Sequence, residues 1–269
     1  MLVVRVVEVV GHRRMSLNEE SLKEMVKAGV HVGHRKSRRH PKMMGFIFGI
    51  RGNTEIIDVT KTAVALDEAS AFLEEQVAAG KMIMFVCTRP SLAEMTKETA
   101  EKAGMPYVTV RWIGGMLTNF GVIGKRLEGL RELMRQEASG ELAEKYTKAE
   151  RIRFQRRIAK FKAELGGVEN MTRIPDILVI PSLRANKLAA REAKLKGIPA
   201  VAIVDTDTDP SQVTHPIPAN DDAMPSVALI LGKLGEAIAR GKAKNEQATK
   251  SKAQMPNEAE SPNTQAEGK

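Results

Sequence analysis

A single cysteine, Cys87, is all that the 269-residue sequence contains, so no internal disulfide can form. This scarcity fits a reducing compartment. Cys87 ends the apolar run 82–87, which favours a buried thiol over a catalytic nucleophile. The sequence also lacks any run of ~18 apolar residues, so we expect no membrane-spanning helix.

The glycine-rich loops that hold nucleotides are also absent. Parallel α/β sheets bind phosphates through G-x-G-x-x-G or G-x-x-x-x-G-K-[ST] turns, and neither pattern occurs in the chain. The turns at 88–91 and 181–184, which follow two predicted strands, contain no glycine. No Ser/His/Asp set and no catalytic pair of carboxylates can be placed either. We therefore expect no catalysis and no cofactor.

One group of carboxylates could bind a cation. Asp205, Asp207 and Asp209 alternate after a predicted strand and could ligate Mg²⁺ or Ca²⁺, and Asp221 and Asp222 could join them. Prolines, however, occupy the positions where an EF-hand loop needs glycine and glutamate. The alternative is a turn in which the aspartates cap local amides. An enzyme that uses this loop with Mg²⁺ is the rival functional hypothesis.

Three histidines, His31, His34 and His40, form a second possible ligand group. They have no cysteine nearby, although zinc prefers four nitrogen or sulfur ligands at tight spacing. A cation would also be repelled by the basic residues around them. We interpret these histidines as caps, packing residues or nucleic-acid contacts, and we predict that the protein has no metal ligands.

The chain does contain a repeated alternation of β-branched runs and helical segments, which is typical of a parallel sheet covered by helices. The fold predicted is a three-layer α/β sandwich with a mostly parallel, flavodoxin-like sheet. The predicted strands are 82–88, 107–110, 177–180 and 200–204. The predicted helices are 60–79, 91–104 with a capping box of Ser91 and Glu94, 184–196 and 226–240.

Residues 122–165 interrupt the alternation with two apolar seams at helical spacing, separated by Ser139-Gly140. This pattern predicts an antiparallel helical hairpin inserted in the α/β domain, which spans 16–241. Residues 1–15 are interpreted as an N-terminal extension, possibly a start-site artefact, with an additional strand as the alternative. Polar residues dominate 242–269, which we predict to be disordered.

Positive charge is concentrated in two places. The formal net charge is +9, and no acidic residue occurs between Glu24 and Glu55. Five basic residues there, in a segment predicted to be an exposed loop, could neutralise phosphates: Arg35, Lys36, Arg38, Arg39 and Lys42. A second set lies beside an apolar seam of the predicted hairpin: Arg153, Arg156, Arg157 and Lys160. Solvated basic surfaces are the alternative for both sets.

The segment 111–120, Arg-Trp-Ile-Gly-Gly-Met-Leu-Thr-Asn-Phe, combines charge, stacking and hydrogen-bonding groups with flexible backbone, as contact loops do. It resembles the RW-GGMLTNF signature of the bacterial small-subunit ribosomal protein family S-two. Similar family-like blocks occur in order at 28–34 with 41–43, at 165–171, and at 197–205 with 220–223. The resemblance covers about residues 22–231.

The resemblance implies a structural role in the small ribosomal subunit, in the cytoplasm, with no catalysis. It implies contact with the small-subunit ribosomal RNA and with neighbouring ribosomal proteins, including the S-one protein, and no membrane. In the signature segment we expect Arg111, Trp112 and Asn119 to contact RNA or to shape the contact surface. A lone tryptophan beside a strand is also typical of a core, so Trp112 has that alternative. A free RNA-binding protein outside the ribosome is a further alternative.

Overall fold

The computed structural model describes residues 19–253. The helices are α1 Glu19–Lys27, α2 Val59–Ala78, α3 Pro90–Ala103, α4 Phe120–Ser139, α5 Glu141–Lys145, α6 Lys148–Leu165, α7 Lys187–Lys196 and α8 Met224–Ala253. The strands are β1 Val32–Arg35, β2 Ile47–Arg51, β3 Thr54–Ile57, β4 Ile83–Val86, β5 Tyr107–Val108, β6 Ile177–Ile180, β7 Ala200–Val204 and β8 His215–Pro218. The predicted extension 1–15 lies outside the described residues.

Five strands form one sheet in the order β5-β4-β6-β7-β8, and every neighbouring pair is parallel. This is the order of flavodoxin-like sheets, in which the chain winds outward in both directions from the first strand. The prediction of a mostly parallel α/β sheet is therefore confirmed, and β6 and β7 have the predicted bounds.

Each face of the sheet has its own apolar core. Phe85, Val179 and Ile203 point to one face, where they belong to a buried cluster with side chains of α2, α3 and α8. Met84 and Leu178 point to the other face, where residues of α4 and α7 complete a second cluster. Since successive strand residues alternate between faces, continuous apolar strands require helices on both sides. This arrangement is consistent with the predicted three-layer sandwich.

A second, antiparallel sheet of order β1-β3-β2 was not predicted. Its tight turn is Gly52-Asn53, with φ of +54° and +69°, which is the backbone that two-residue hairpins require. The sheet corrects the prediction that the basic segment is an exposed loop. Val32–Arg35 is strand β1, and Lys36–Arg38 forms a turn of 3₁₀ helix directly after it.

Several predicted boundaries were wrong. Helix α3 begins at Pro90, with Arg89 as its N-cap residue, so Ser91 and Glu94 do not form its capping box. Proline suits the first helical position because its fixed φ matches the helix and the missing N–H has no partner there. Helix α7 begins later than predicted, at Lys187, and strand β5 ends earlier, at Val108.

The last helix extends past its predicted end into the segment 242–269 that was expected to be disordered. Residues 242–253 continue α8, and 254–269 lie outside the described residues. The continuation is held to α2. Arg240 pairs with Glu74 at 2.8 Å, Lys244 pairs with the same carboxylate at 2.5 Å, and the Asn245 amide donates to the carbonyl of Ala78 at 2.8 Å.

Residues 120–165 form three helices. Helix α4 ends at Ser139, with Gly140 at φ +83°, where the predicted break between the two seams lies, and the unpredicted short helix α5 follows before α6 begins. The seam residues Ile123, Leu127 and Leu130 of α4 are buried, as are Ile158 and Leu165 of α6. Side chains from both helices line a common groove. Within residues 19–253, no helix combines the length and apolar content needed to cross a membrane.

Candidate functional site

The five cations of the basic segment 35–42 divide into two groups. Arg35, Lys36 and Arg38 are exposed, and no carboxylate of the described residues lies within ion-pair distance of them. Arg39 is half-buried and pairs with the fully buried Glu55 at 3.2 Å. Lys42 pairs with Asp209 at 3.0 Å and donates to Ser211 at 2.6 Å. Three cations therefore remain available for a ligand, while Arg39 and Lys42 are engaged within the protein.

The segment 111–120 is organised by one buried carboxylate, Glu192 of α7. Its Oε1 accepts hydrogen bonds from the Trp112 indole at 3.0 Å and the Gly115 amide at 2.9 Å. Its Oε2 accepts from the Leu117 amide at 3.0 Å and from the amide and hydroxyl of Thr118 at 3.2 and 3.1 Å. Burial alone would raise the pKa of Glu192, but these hydrogen bonds hold that pKa below its usual value.

The three predicted contact residues of segment 111–120 differ in exposure. Trp112 is only 8% exposed and belongs to the second core, which agrees with the alternative that the sequence allowed. Arg111 and Asn119 are exposed, and the Asn119 side chain makes no capping hydrogen bond to α4. Sequence reasoning missed Glu192, whose signal is a lone acid among the buried alanines of α7.

The basic residues Arg153, Arg156, Arg157 and Lys160 of α6 are all exposed. Their spacing places them on one side of the helix. Arg157 also lies over the ring of Phe161 at 5.5 Å and lines the groove between α4 and α6. No carboxylate in the described part of the chain pairs with these four side chains, whereas Glu132 and Arg135 of α4 pair at 2.7 Å.

Behind the basic segment lies a group of carboxylates around His34, which we call the acidic cluster: Asp205, Asp207, Asp221 and Asp222. These aspartates follow β7 and β8 at the carboxyl edge of the parallel sheet, where ligands of such folds bind. The His34 Nδ1 lies 3.1 Å from Asp205, and its Nε2 lies 3.5 Å from Asp207 and 3.4 Å from Asp222.

Arginine and serine side chains satisfy part of the acidic cluster. Arg89 donates to the Asp221 carbonyl and to the Asp222 carboxylate, both at 2.7 Å, and Arg184 pairs with Asp207. Ser182 donates to Asp221 at 2.7 Å. Burial raises the pKa of Asp221 to about 6 despite that bond, and the charges of Asp205 and Asp222 add to the increase.

The structure thus brings His34, from the predicted histidine group, into contact with the aspartates that follow β7 and β8. The hydrogen bond with Asp205 raises the pKa of His34 above its usual value, although burial of the ring opposes this increase. His31 and His40 are not part of the acidic cluster, and His40 instead accepts from the Lys42 amide at the start of a 3₁₀ helix. Asp209 has the predicted local role, since it caps the turn at Ser211.

Comparisons with known proteins agree along most of the chain. The family model described as Ribosomal protein S2 matches residues 25–241. A protein of Fusobacterium nucleatum named small ribosomal subunit protein uS2 is 41% identical over 221 residues, which are 82% of this chain and 90% of that protein. Proteins of the same name from Acidothermus cellulolyticus and Helicobacter hepaticus are 42% and 40% identical, over 82% and 84% of this chain and 80% and 85% of their own.

Proposed function

Because this chain belongs to the ribosomal protein S2 family, which is structural and non-enzymatic, we propose that it binds ribosomal RNA and neighbouring proteins within the small ribosomal subunit. The observation that carries RNA binding is the set of three exposed, unpaired cations on the basic segment, Arg35, Lys36 and Arg38. Such side chains neutralise phosphates and release the counterions condensed on them, which makes binding favourable and dependent on salt.

The other predicted contact residues differ in exposure, and we propose direct RNA contact only for the exposed ones. Arg111 and Asn119 are exposed beside the Glu192-centred loop, so they are suited to contact RNA, and the buried Trp112 shapes the surface from beneath. Arg39 and Lys42 support the conformation of the basic segment through their ion pairs with Glu55 and Asp209, and they are secondary to the three unpaired cations as RNA contacts. Phosphate contacts of this kind position a protein without specifying sequence.

The helices of 120–165 supply a second basic surface. We propose that α4 and α6 pair as an antiparallel hairpin inserted in the α/β domain, supported by their buried seams and by the groove that both helices line. The stripe of Arg153, Arg156, Arg157 and Lys160 would then face RNA along one edge, because it is exposed and has no carboxylate partner among the described residues.

The proposed partners are small-subunit ribosomal RNA and adjacent small-subunit proteins, with the S-one protein among them, on the ribosome in the bacterial cytoplasm. The family name supports the ribosomal partners as a class, and the S-one contact rests on the resemblance alone. An Mg²⁺-dependent enzyme is not proposed, since the family is non-enzymatic and Asp209 is used in a turn.

Sedimentation of cell extract in Mg²⁺, with this chain followed by mass spectrometry, tests membership. Co-migration with the small subunit that high salt reverses is expected. Migration as a free protein, while other small-subunit proteins stay bound, would contradict it.

A double variant, Lys36→Glu with Arg38→Glu, tests whether the basic segment binds RNA. Its control is the double variant Lys102→Glu with Lys196→Glu, which changes the net charge equally at exposed sites elsewhere.

Binding of each variant to small-subunit RNA is measured over a range of salt concentrations. Only the first double variant is expected to weaken binding and to reduce the slope of log K against log salt by about 2, roughly one for each lost phosphate contact. Equal losses in both variants would mean that net charge, and not this surface, drives binding.

A further inference from the structure

The groove between α4 and α6 presents an apolar surface that is open to solvent. Leu130, Leu133 and Phe161 line it together with Val122, which is 46% exposed. The volume of the groove is about 490 Å³, within the range of roughly 300–1,000 Å³ that is typical of sites for small organic groups. The groove therefore has the size and the apolar lining of a binding site.

Cations border this apolar surface. Lys125, Arg126 and Arg157 line the same groove, and no carboxylate of the described residues lies within ion-pair distance of them. Unpaired positive side chains around an apolar surface suit a ligand that joins an apolar part to negative charge. A nucleotide has this composition, because its base is planar and largely apolar on its faces and its phosphate is an anion.

Aromatic side chains are concentrated beside these cations. Aromatic residues make up only 4% of the chain, yet Phe154 and Phe161 both lie on α6, with Arg157 between them on the same face. The Arg157 guanidinium lies 5.5 Å from the centre of the Phe161 ring, and the Tyr146 ring meets that of Phe154 edge to face at 4.9 Å. Bases of single-stranded RNA stack on aromatic rings and on arginine guanidinium groups.

We propose that this groove binds the base of an unpaired nucleotide of RNA, an inference that rests on the proposed function of α6 as an RNA-binding surface. The base enters between α4 and α6 and stacks against Arg157 and Phe161, while Lys125 and Arg126 neutralise the adjacent phosphates. A base within a double helix cannot enter, because it is already stacked and paired. The groove therefore selects a loop or a bulge, whereas the basic segment 35–42 contacts phosphates without reading bases.

A helix of a partner protein fits the same groove less well. Helices that dock in grooves use anchor residues at positions i, i+3, i+4 and i+7, which extend over two turns. Although α4 lines the groove from Val122 to Leu133, α6 contributes only Arg157 and Phe161, which lie about 6 Å apart along the helix axis. A compact planar group matches this short wall better than a second helix does.

Gly129 offers a way to fill the groove without a change in charge. It lines the groove, and a Cβ atom at this position would meet nothing within 4 Å. Gly129→Leu should therefore fold, since leucine is also the better helix former, and its side chain should occupy the space of the base. Gly121→Leu is the matched control, because Gly121 is an exposed residue of α4 with equal space for a Cβ but does not line the groove.

Binding is measured by fluorescence anisotropy with two labelled probes, an oligouridylate and an abasic oligomer that has the same number of phosphates but no bases. The native chain and Gly121→Leu should bind the oligouridylate roughly tenfold more tightly than the abasic oligomer. Gly129→Leu should reduce this ratio towards one and leave the affinity for the abasic oligomer unchanged. Arg157→Lys should also reduce the ratio, because lysine keeps the charge but lacks a planar group for stacking.

Equal affinity of the native chain for the two probes, or a ratio that Gly129→Leu does not change, would overturn the proposal. Salt-dependent binding of the abasic oligomer would in that case leave the proposed RNA binding intact, whereas binding of neither probe would contradict both. If the ratio is unchanged and small subunits that contain Gly129→Leu lose a neighbouring protein, the groove binds a protein helix instead. Thermal unfolding midpoints of the variants, measured alongside, establish that each is folded.

Discussion

Trp112 donates its indole N–H to the carboxylate of Glu192 at 3.0 Å, across 80 positions of the sequence. The same carboxylate accepts backbone hydrogen bonds from Gly115, Leu117 and Thr118. A buried charge with this many donors is stable only because each oxygen is satisfied. The conformation of the family's signature segment therefore depends on a residue in a different helix.

Replacement of Glu192 by glutamine should lower the free energy of unfolding by about 2 kcal/mol, because the new NH₂ group faces backbone N–H donors that can no longer be satisfied. Chemical denaturation followed by circular dichroism and by Trp112 fluorescence measures the change. Glu98→Gln on the surface should change stability by less than about 0.5 kcal/mol. Equal stability of the Glu192→Gln variant and the native chain would contradict this account of the loop.

The same carboxylate predicts a pH dependence. The folded-state pKa of Glu192 lies below its unfolded value of 4.5, so its contribution is fully present above that value and is lost as pH falls towards the folded pKa. Stability of the native chain should decrease from about pH 5 downwards more steeply than that of Glu192→Gln. Parallel curves for the two proteins in denaturant titrations would show that Glu192 is not linked to proton uptake.

Arg38 and Arg39 are neighbours with opposite expected phenotypes. Arg39→Ala leaves the fully buried Glu55 without its ion-pair partner, and it should destabilise the fold by roughly 3 kcal/mol. Arg38→Ala should leave stability unchanged and weaken RNA binding, with the salt slope reduced by about 1. Thermal unfolding and RNA titration of both variants separate these effects, and a stable Arg39→Ala protein that binds RNA poorly would reverse the assignment.

Gly33 makes a close contact that a larger residue would prevent. A Cβ atom there would lie 2.6 Å from the Thr206 methyl and 3.1 Å from the Glu55 carbonyl oxygen. Gly33→Ala should therefore destabilise the protein by about 1–3 kcal/mol through forced displacement of β1. Gly45→Ala, where a Cβ meets nothing within 4 Å, is the control and should be neutral or slightly stabilising. Similar unfolding midpoints for the two variants would refute the close approach.

The parallel sheet could be predicted because its strands are continuous apolar runs separated by amphipathic helices, and β6 and β7 were assigned with correct bounds. The small antiparallel sheet was missed because Gly33 and Pro41, which exclude a regular helix, suggested a loop. Its turn signal, Gly52-Asn53 between two apolar runs, was present but was not used. The continuation of α8 past residue 241 depends on Glu74 of α2, so local composition could not reveal it.

In the candidate sites too, features formed by neighbouring residues could be predicted, whereas contacts between separate segments of the chain could not. The exposed cations of the basic segment follow from a local absence of acidic residues, which composition reveals. Two other contacts join residues from separate segments of the chain: the ion pair of Arg39 with Glu55 and the contact of His34 with Asp205. Such pairs follow from strand order and register, which a single sequence does not fix.

Thr206 has a consequence for the order of folding during synthesis. Its hydroxyl accepts from the His34 amide at 2.9 Å across 172 positions, and its carbonyl accepts from the His40 amide at 2.8 Å. The basic segment leaves the ribosome early, but these partners are made only after most of the chain. At bacterial and eukaryotic elongation rates this delay is on the order of ten seconds. The basic segment of a nascent chain therefore lacks its contacts with Thr206 until synthesis is nearly finished.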